Sequence, residues 1–298
     1  MDRTHEGNKA VKPGSTAPSN KKFMVSLGRA AAGGVIFSLP LMMTMEMWNL
    51  GFYIEPWRRI VMILSSIPLL IGLSHIFGYE DTFGWQDDTI DAFVALTVGV
   101  GCSAAVLFLL GIINGETAGT ELFGKVELQM IPASIGALLA QSQLGVNSDD
   151  SQSQNEEPSA SKQKKERQTR YSGELFLMAV GAIFLSLSIA PTEEVILIAY
   201  TISKLQGLGL GIVSLLLMHA FVYLVDFRGT EKAPVPVSGW GIFFRFTVVG
   251  YAIALMMGLG VLWLFGRTTG LAPLEVAMIT VVLGFPSALG AAAARLII

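Results

Sequence analysis

The residues of this sequence that could do chemistry come in pairs. Glu46 and Glu193 each stand near the end of an apolar run that contains a proline, Pro40 in one case and Pro191 in the other. Glu127 and Glu275 each open a later apolar run. His75 and His219, two of the three histidines, share a short pattern, His75-x-Phe77-x-Tyr79 and His219-x-Phe221-x-Tyr223. Carboxylates are hard oxygen ligands and proton carriers, so carboxylates set among apolar segments suit a small cation or a proton. An imidazole titrates near neutral pH and can relay protons or gate by pH. Each group also has a structural reading. A carboxylate near a helix end simply reaches water, and a neutral imidazole bonds to a neighbouring helix or joins an interfacial aromatic belt.

The elements that position these groups are membrane helices. Hydrophobic residues make up 52% of the 298 residues, charged residues 14%, and the mean hydropathy is +0.58. Soluble domains carry about 25% charged residues. The apolar residues gather in blocks of roughly 20, the length that crosses a hydrocarbon core of ~30 Å as helix. We read eight spans, at about 31–50, 58–78, 91–113, 126–143, 174–192, 200–225, 241–265 and 272–294. Continuous runs such as Ile212 to Met218 exclude the alternating strands of an outer-membrane barrel. The run after Lys21 and Lys22 continues past Leu39 into Met45, longer than a signal core, and reads as a retained first helix. An ionisable group inside such a span costs about 2.5–3.5 kcal/mol on insertion scales, which makes the paired residues candidate functional groups.

The spans repeat. Gly34-Val35-Ile36-Phe37 … Glu46 corresponds to Gly181-Ala182-Ile183-Phe184 … Glu193, and the histidine patterns follow. Next, Leu107-Phe108-Leu109-Leu110-Gly111 corresponds to Leu262-Trp263-Leu264-Phe265-Gly266, and Pro132-x-x-x-Gly136-Ala137 to Pro286-x-x-x-Gly290-Ala291. Four landmarks in order at nearly constant offset predict an all-α membrane protein of eight transmembrane helices, built as two tandem parallel four-helix repeats at 23–143 and 171–298. Residues 1–22 read as a disordered N-terminal tail and 144–170 as a disordered cytoplasmic linker, because neither has apolar periodicity. Four spans per repeat send both repeats into the membrane from the same side. A twofold axis along the membrane normal follows, with spans one and five expected beside it. In that arrangement Glu46, Glu193, Glu127 and Glu275 form a ring of carboxylates at similar depth, while Glu194 has no partner in the first repeat, where Met47 stands at the equivalent position.

Orientation follows from the basic residues. Of the 20 Lys and Arg, only Arg58, Arg59, Lys125, Lys204 and Arg267 fall on one side of the spans. The richer side is cytoplasmic, so both termini are expected inside. Tyr79 to Asp91, with Glu80, Asp81, Asp87, Asp88 and Asp91, reads as an acidic cytoplasmic loop: a solvated loop, or a mouth that attracts cations.

Other chemistries are excluded or disfavoured. A single cysteine, Cys102, rules out an internal disulfide. Gly207-x-Gly209-x-Gly211 follows no strand and is no dinucleotide fingerprint; with Gly99, Gly101, Gly258 and Gly260 it reads as close helix packing. The net charge of −3 has no basic field behind it, so no nucleic-acid partner is expected. No cofactor is expected. Glu193-Glu194 followed by His219 is similar to intramembrane prenyl-protein proteases, but their Glu-Glu-x-x-x-Arg has Ile198 here in place of Arg, and no second His-x-x-x-Asn follows. No Gly-x-Ser-x-Gly element is present. We therefore read the chain as no enzyme.

The run from Gly28 to Trp48, the Arg58-Arg59 pair after it, and Ala190-Pro191-Thr192-Glu193-Glu194 resemble a bacterial family of integral membrane proteins of unknown function. The resemblance covers nearly the whole chain outside the tail and linker, and implies the bacterial inner membrane but no activity. Arg29 ahead of Val35-Ile36-Phe37 also resembles potassium channels whose first helix carries Arg-x-x-x-Phe-Ser-Asp, although that triplet is absent here. The expected function is passage of a small cation or proton through the lipid bilayer, by channel or transporter. The alternative is a non-catalytic scaffold or accessory subunit, in a homo-oligomer or with a partner membrane subunit.

Overall fold

The computed structural model describes residues 20–77, 85–144, 160–225 and 243–295, and these are helical almost throughout. In chain order they form α1 (Asn20–Met42), α2 (Met45–Tyr53), α3 (Pro56–Phe77), α4 (Trp85–Leu109), α5 (Gly119–Leu144), α6 (Ala160–Ile189), α7 (Glu194–Thr201) and α8 (Lys204–Val225). A π-helical turn at Phe243–Val248 then runs into α9 (Val249–Leu264), and α10 (Pro273–Arg295) ends the order. Eight helices are long and apolar enough to cross a membrane, as expected: α1, α3, α4, α5, α6, α8, π-turn plus α9, and α10. In hydrocarbon every backbone N–H and C=O must be satisfied within the segment, which helices achieve without partners.

Three sequence expectations need correction. The first span does not run to residue 50. It closes at Met42, and α2 begins after a break at Met43 and Thr44. The segment 144–170, read as an unstructured linker, includes the first turns of α6 from Ala160 onward; residues 145–159, like the tail at 1–19, lie outside the described residues. The segment Tyr79 to Asp91, read as an acidic loop, is helical from Trp85 onward. Asp87, Asp88 and Asp91 lie on α4, and Glu80 and Asp81 fall outside the described residues.

Each of two sets of helices packs around one more deeply buried helix. In α5, 78% of the apolar window is buried inside the protein and in α10, 56%, against 33% or less for the other six spans. Both are rich in small residues: Ala133, Ser134, Gly136, Ala137 and Ala140 in α5, and Ala288, Gly290, Ala291 and Ala292 in α10. Between membrane helices, packing and not water exclusion drives association, so small residues that let backbones approach mark the contacts. α5 packs on α1, α2, α3 and α4, and α10 packs on α6, α7, α8 and α9. Gly33 of α1 crosses Gly136 of α5, where a Cβ on Gly33 would lie 2.7 Å from the Gly136 carbonyl oxygen. Gly181 of α6 crosses Gly290 of α10 more closely still. One buried cluster joins the two sets, with Leu70 and Leu73 of α3, Leu138 of α5, Leu177 and Val180 of α6 and Leu262 of α9. Phe37 of α1 meets Phe184 of α6 edge-on, at 5.9 Å between ring centres.

Helices α4 and α9 end alike. Ile112 N–H donates to Leu107 C=O and Gly111 N–H to Phe108 C=O; Arg267 N–H donates to Leu262 C=O and Gly266 N–H to Trp263 C=O. This is the Schellman cap, which needs a left-handed residue after the helix. Gly111 at φ +72° and Gly266 at φ +73° supply it.

A candidate cation-binding cavity

The breaks after α1 and α6 make the site. A helix leaves its last four carbonyls without partners. At the end of α1, the Thr44 hydroxyl donates to Leu41 C=O at 2.8 Å and Trp48 Nε1 donates to Met42 C=O at 2.6 Å. At the end of α6, the Thr192 hydroxyl donates to Ile189 C=O at 2.8 Å, and Arg267 Nη2 donates to Pro191 C=O. The chain then turns into the short helices α2 and α7. Glu46 stands in the first turn of α2, and Glu193 is the N-cap of α7. Both carboxylates therefore lie on or beside short helices that follow the long ones, and not within α1 or α6.

Glu46 and Glu193 line one cavity of about 680 Å³. Asn49 and Tyr53 of α2, Glu55 and Arg58 at the start of α3, and Arg267 and Thr269 of the turn before α10 complete its polar lining. The cavity thus lies where α2 and α3 face the α6–α7 and α9–α10 joints. Arg58 is 8% exposed and ties these pieces together. Its Nε bonds Glu55 at 2.9 Å, Nη1 donates to Trp263 C=O, and Nη2 donates to the Thr269 hydroxyl at 3.1 Å. Its guanidinium also lies 5.2 Å from the Trp57 ring centre and 5.5 Å from that of Trp263. Glu55 is further held by Trp57 Nε1 at 2.8 Å. Among the described residues, by contrast, neither the Glu46 nor the Glu193 carboxylate has an ion-pair or hydrogen-bond partner.

A family model described as "Putative integral membrane protein (DUF2391)" matches residues 26–298. The chain belongs to this family. Its match takes in the cavity and both sets of helices, and its description names a membrane location and no activity. No curated protein and no solved structure matches the chain.

The other carboxylates of the expected ring sit apart from the cavity lining. Glu127 on α5 pairs with Arg59 Nη1 at 3.4 Å. Glu275 accepts the Ala272 N–H at 2.8 Å and so caps its own helix, the returning half of a capping box. The histidines lie at the opposite ends of their helices. His75 Nδ1 is 2.9 Å from Asp88 Oδ2, with the imidazole exposed and Asp88 3% exposed. His219 Nδ1 is 2.9 Å from the Thr247 hydroxyl, and its ring meets Phe243 edge-on. The structure therefore brings Glu46 and Glu193 together and leaves Glu127, Glu275, His75 and His219 elsewhere.

Sequence reasoning gave no site role to Arg58, Arg267, Glu55 or Thr269; the two arginines counted as charges of the less basic side, and Arg58 also as part of the family resemblance. The bonds around the two breaks run one residue out of step with the expected pairing of Glu46 with Glu193. Thr44 and Thr192 make the same bond, and Ile54 and Ile202 close α2 and α7 with the same N–H bonds, to Leu50 and Ile198. These landmarks set Glu46 level with Glu194, and Met45 level with Glu193. The cavity nevertheless takes Met45, Glu46 and Glu193 and not Glu194. The signal available in sequence was the Thr two residues before each acid, Thr44-x-Glu46 and Thr192-x-Glu194.

Proposed function

We propose that this protein passes a small cation or proton across the bacterial inner membrane, with the cavity as its vestibule and Glu46 and Glu193 as its acceptor groups. The observation that carries the reading is their shared position. Of the carboxylates lining the cavity, these two are without partners, while Glu55 is held by Arg58 and Trp57. An unengaged carboxylate can take up and release a charge without breaking a structural bond. Among the described residues no three His, Cys, Asp or Glu side chains gather as a metal site. A dehydrated divalent ion takes six to eight oxygen ligands, so the reading favours a proton or a cation that keeps its water. The protein is read as a non-catalytic one.

The architecture proposed with it is two tandem parallel repeats. In support, α1, α4 and α5 pack on one another as α6, α9 and α10 do; a glycine pair marks the central crossing in each half; and both halves break after the first span at a threonine. The proposed orientation has both termini in the cytoplasm and the cavity on the outer face, which the distribution of basic residues supports. Ser159→Cys in a Cys102→Ala background is expected to resist impermeant thiol reagents in whole cells and to label after permeabilisation. Rapid labelling of intact cells would reverse the orientation.

The functional test uses the purified protein in vesicles. Losing a charge-assisted interaction of about 1.5–3 kcal/mol corresponds to roughly 10–150-fold. Glu46→Gln or Glu193→Gln should therefore lower flux at least about tenfold while expression and thermal stability stay near wild type. Glu156→Gln with Glu157→Gln should leave flux unchanged. Normal flux in both cavity variants removes the carboxylate mechanism. No flux of H⁺, Na⁺, K⁺ or Ca²⁺ through wild type favours a scaffold or accessory subunit.

A further inference from the structure

A second hollow, of about 400 Å³, opens between α8, α9 and α10, away from the cavity. It faces outward, with Leu208 and Ile212 at 63% and 51% exposure on its α8 wall. Glycines on that wall let side chains of α9 and α10 come close and form the floor of the hollow. A Cβ on Gly207 would lie 2.9 Å from the Met278 methyl, and one on Gly211 would lie 3.4 Å from the Tyr251 hydroxyl. The groove begins at Lys204, the first residue of α8, and runs to Leu215. At 1.5 Å per residue that is about 16 Å. One leaflet of a ~30 Å core is about 15 Å deep. On α10 the lining likewise starts near the helix start, at Leu274, and Leu255 and Tyr251 of α9 close the deep end.

The groove is thus apolar, one leaflet long, and has one charge, at its mouth. Among the described residues the Lys204 ammonium has no carboxylate partner. A flexible hydrocarbon chain laid in a narrow apolar groove gains dispersion contacts from both walls, and it fits where a side chain from a flat helix face does not. We propose that this groove binds one acyl chain of an anionic phospholipid, with the lipid phosphate on Lys204. Charge complementarity at the mouth and the leaflet-length floor select this occupant over a second copy of the chain.

The test titrates the full-length protein in detergent with phosphatidylglycerol and with phosphatidylcholine of the same chains, reading bound lipid by native mass spectrometry. A basic residue near the surface contributes about 1 kcal/mol toward an anionic lipid, or roughly fivefold. Wild type should prefer phosphatidylglycerol by about that factor. Lys204→Gln should abolish the preference, and Lys204→Arg should keep it. Ala277→Phe, which fills the groove from its exposed α10 wall, should weaken both lipids at least about tenfold, since each excluded CH₂ loses ~0.8 kcal/mol. Equal binding of the two lipids by wild type overturns the proposal, as does an unchanged preference in Lys204→Gln. A disulfide-linked dimer formed through Ile212→Cys in a Cys102→Ala background also overturns it, because a second copy then covers the groove. Should Ala277→Phe fail to fold, the Lys204 pair decides alone.

Discussion

Gly290→Leu is expected to cost about 3 kcal/mol or more and to lower the apparent melting temperature in detergent by roughly 6–12 °C. The reason is geometric. A Cβ on Gly290 would run into the carbonyl oxygen of Gly181 and lie 3.0 Å from its carbonyl carbon and 3.0 Å from Leu185 Cγ. From the other side, a Cβ on Gly181 would meet the same backbone and lie 2.6 Å from Ala294 Cβ. Backbone cannot rotate away as a long side chain does, so α6 and α10 must separate. The buried bond between the Ser186 and Ser287 hydroxyls, 2.7 Å and fully enclosed, would go with them. Because Ser287 also donates to Leu283 C=O at 2.7 Å, Ser186 is the donor in that bond, and separating the helices strands it. Gly181→Val should act in the same way. Gly101→Ala is the control, since a Cβ there meets nothing within 4 Å; it should leave stability unchanged or slightly raised. A Gly290→Leu protein that melts with wild type would mean that these helices do not cross at this point.

Arg58→Ala should lower stability by about 2–4 kcal/mol and loosen the wall of the cavity. The ion pair with Glu55 contributes little of this, because the Glu55 side chain is 58% exposed. The larger part comes from the bonds to Trp263 C=O and the Thr269 hydroxyl, at about 1.5–3 kcal/mol for hydrogen bonds from a charged donor. The two indole contacts add about 0.5–1 kcal/mol each. The bond to Trp263 joins residues 205 apart in sequence, so its loss separates α3 from the α9–α10 turn rather than weakening one helix. Arg58→Lys keeps the charge but not the planar fork or the stacking, and should recover less than half of the loss. Thermal unfolding and limited proteolysis at the Gly266–Gly270 turn are the measurements. If Arg58→Lys matches wild type in both, the guanidinium geometry is not what holds the turn.

What the sequence by itself determined is whatever lipid and local backbone chemistry demand. Hydrocarbon requires unbroken apolar runs that satisfy their own backbone, so eight spans could be counted from composition and block length alone. The landmarks that recur in both halves also had local causes. Leu107 to Gly111 and Leu262 to Gly266 are helix ends whose glycines take positive φ, and Gly136 and Gly290 lie where a neighbouring helix backbone comes closest. Small residues and left-handed turns leave marks that can be read without a partner in view.

The placing of the charged groups was decided only by tertiary structure. Met43 to Leu50 is apolar enough to continue the first span, and hydropathy cannot show that α1 stops at Met42. The stop depends on which donors reach the last carbonyls, and one of them, Trp48, arrives from the next helix. The equivalent donor at Pro191 is Arg267, from a distant turn. Among carboxylates of one chemical type, Glu127 found Arg59 and Glu275 found its own N-terminus, while Glu46 and Glu193 came to share a cavity without such partners. Side-chain reach across helices sets that division, and spacing along the chain does not encode it. Arg58 is the plainest case: a charge beside a membrane span in sequence, and in space a pin whose fork needs a carbonyl and a hydroxyl that only the packing of α3 against the α9–α10 turn provides.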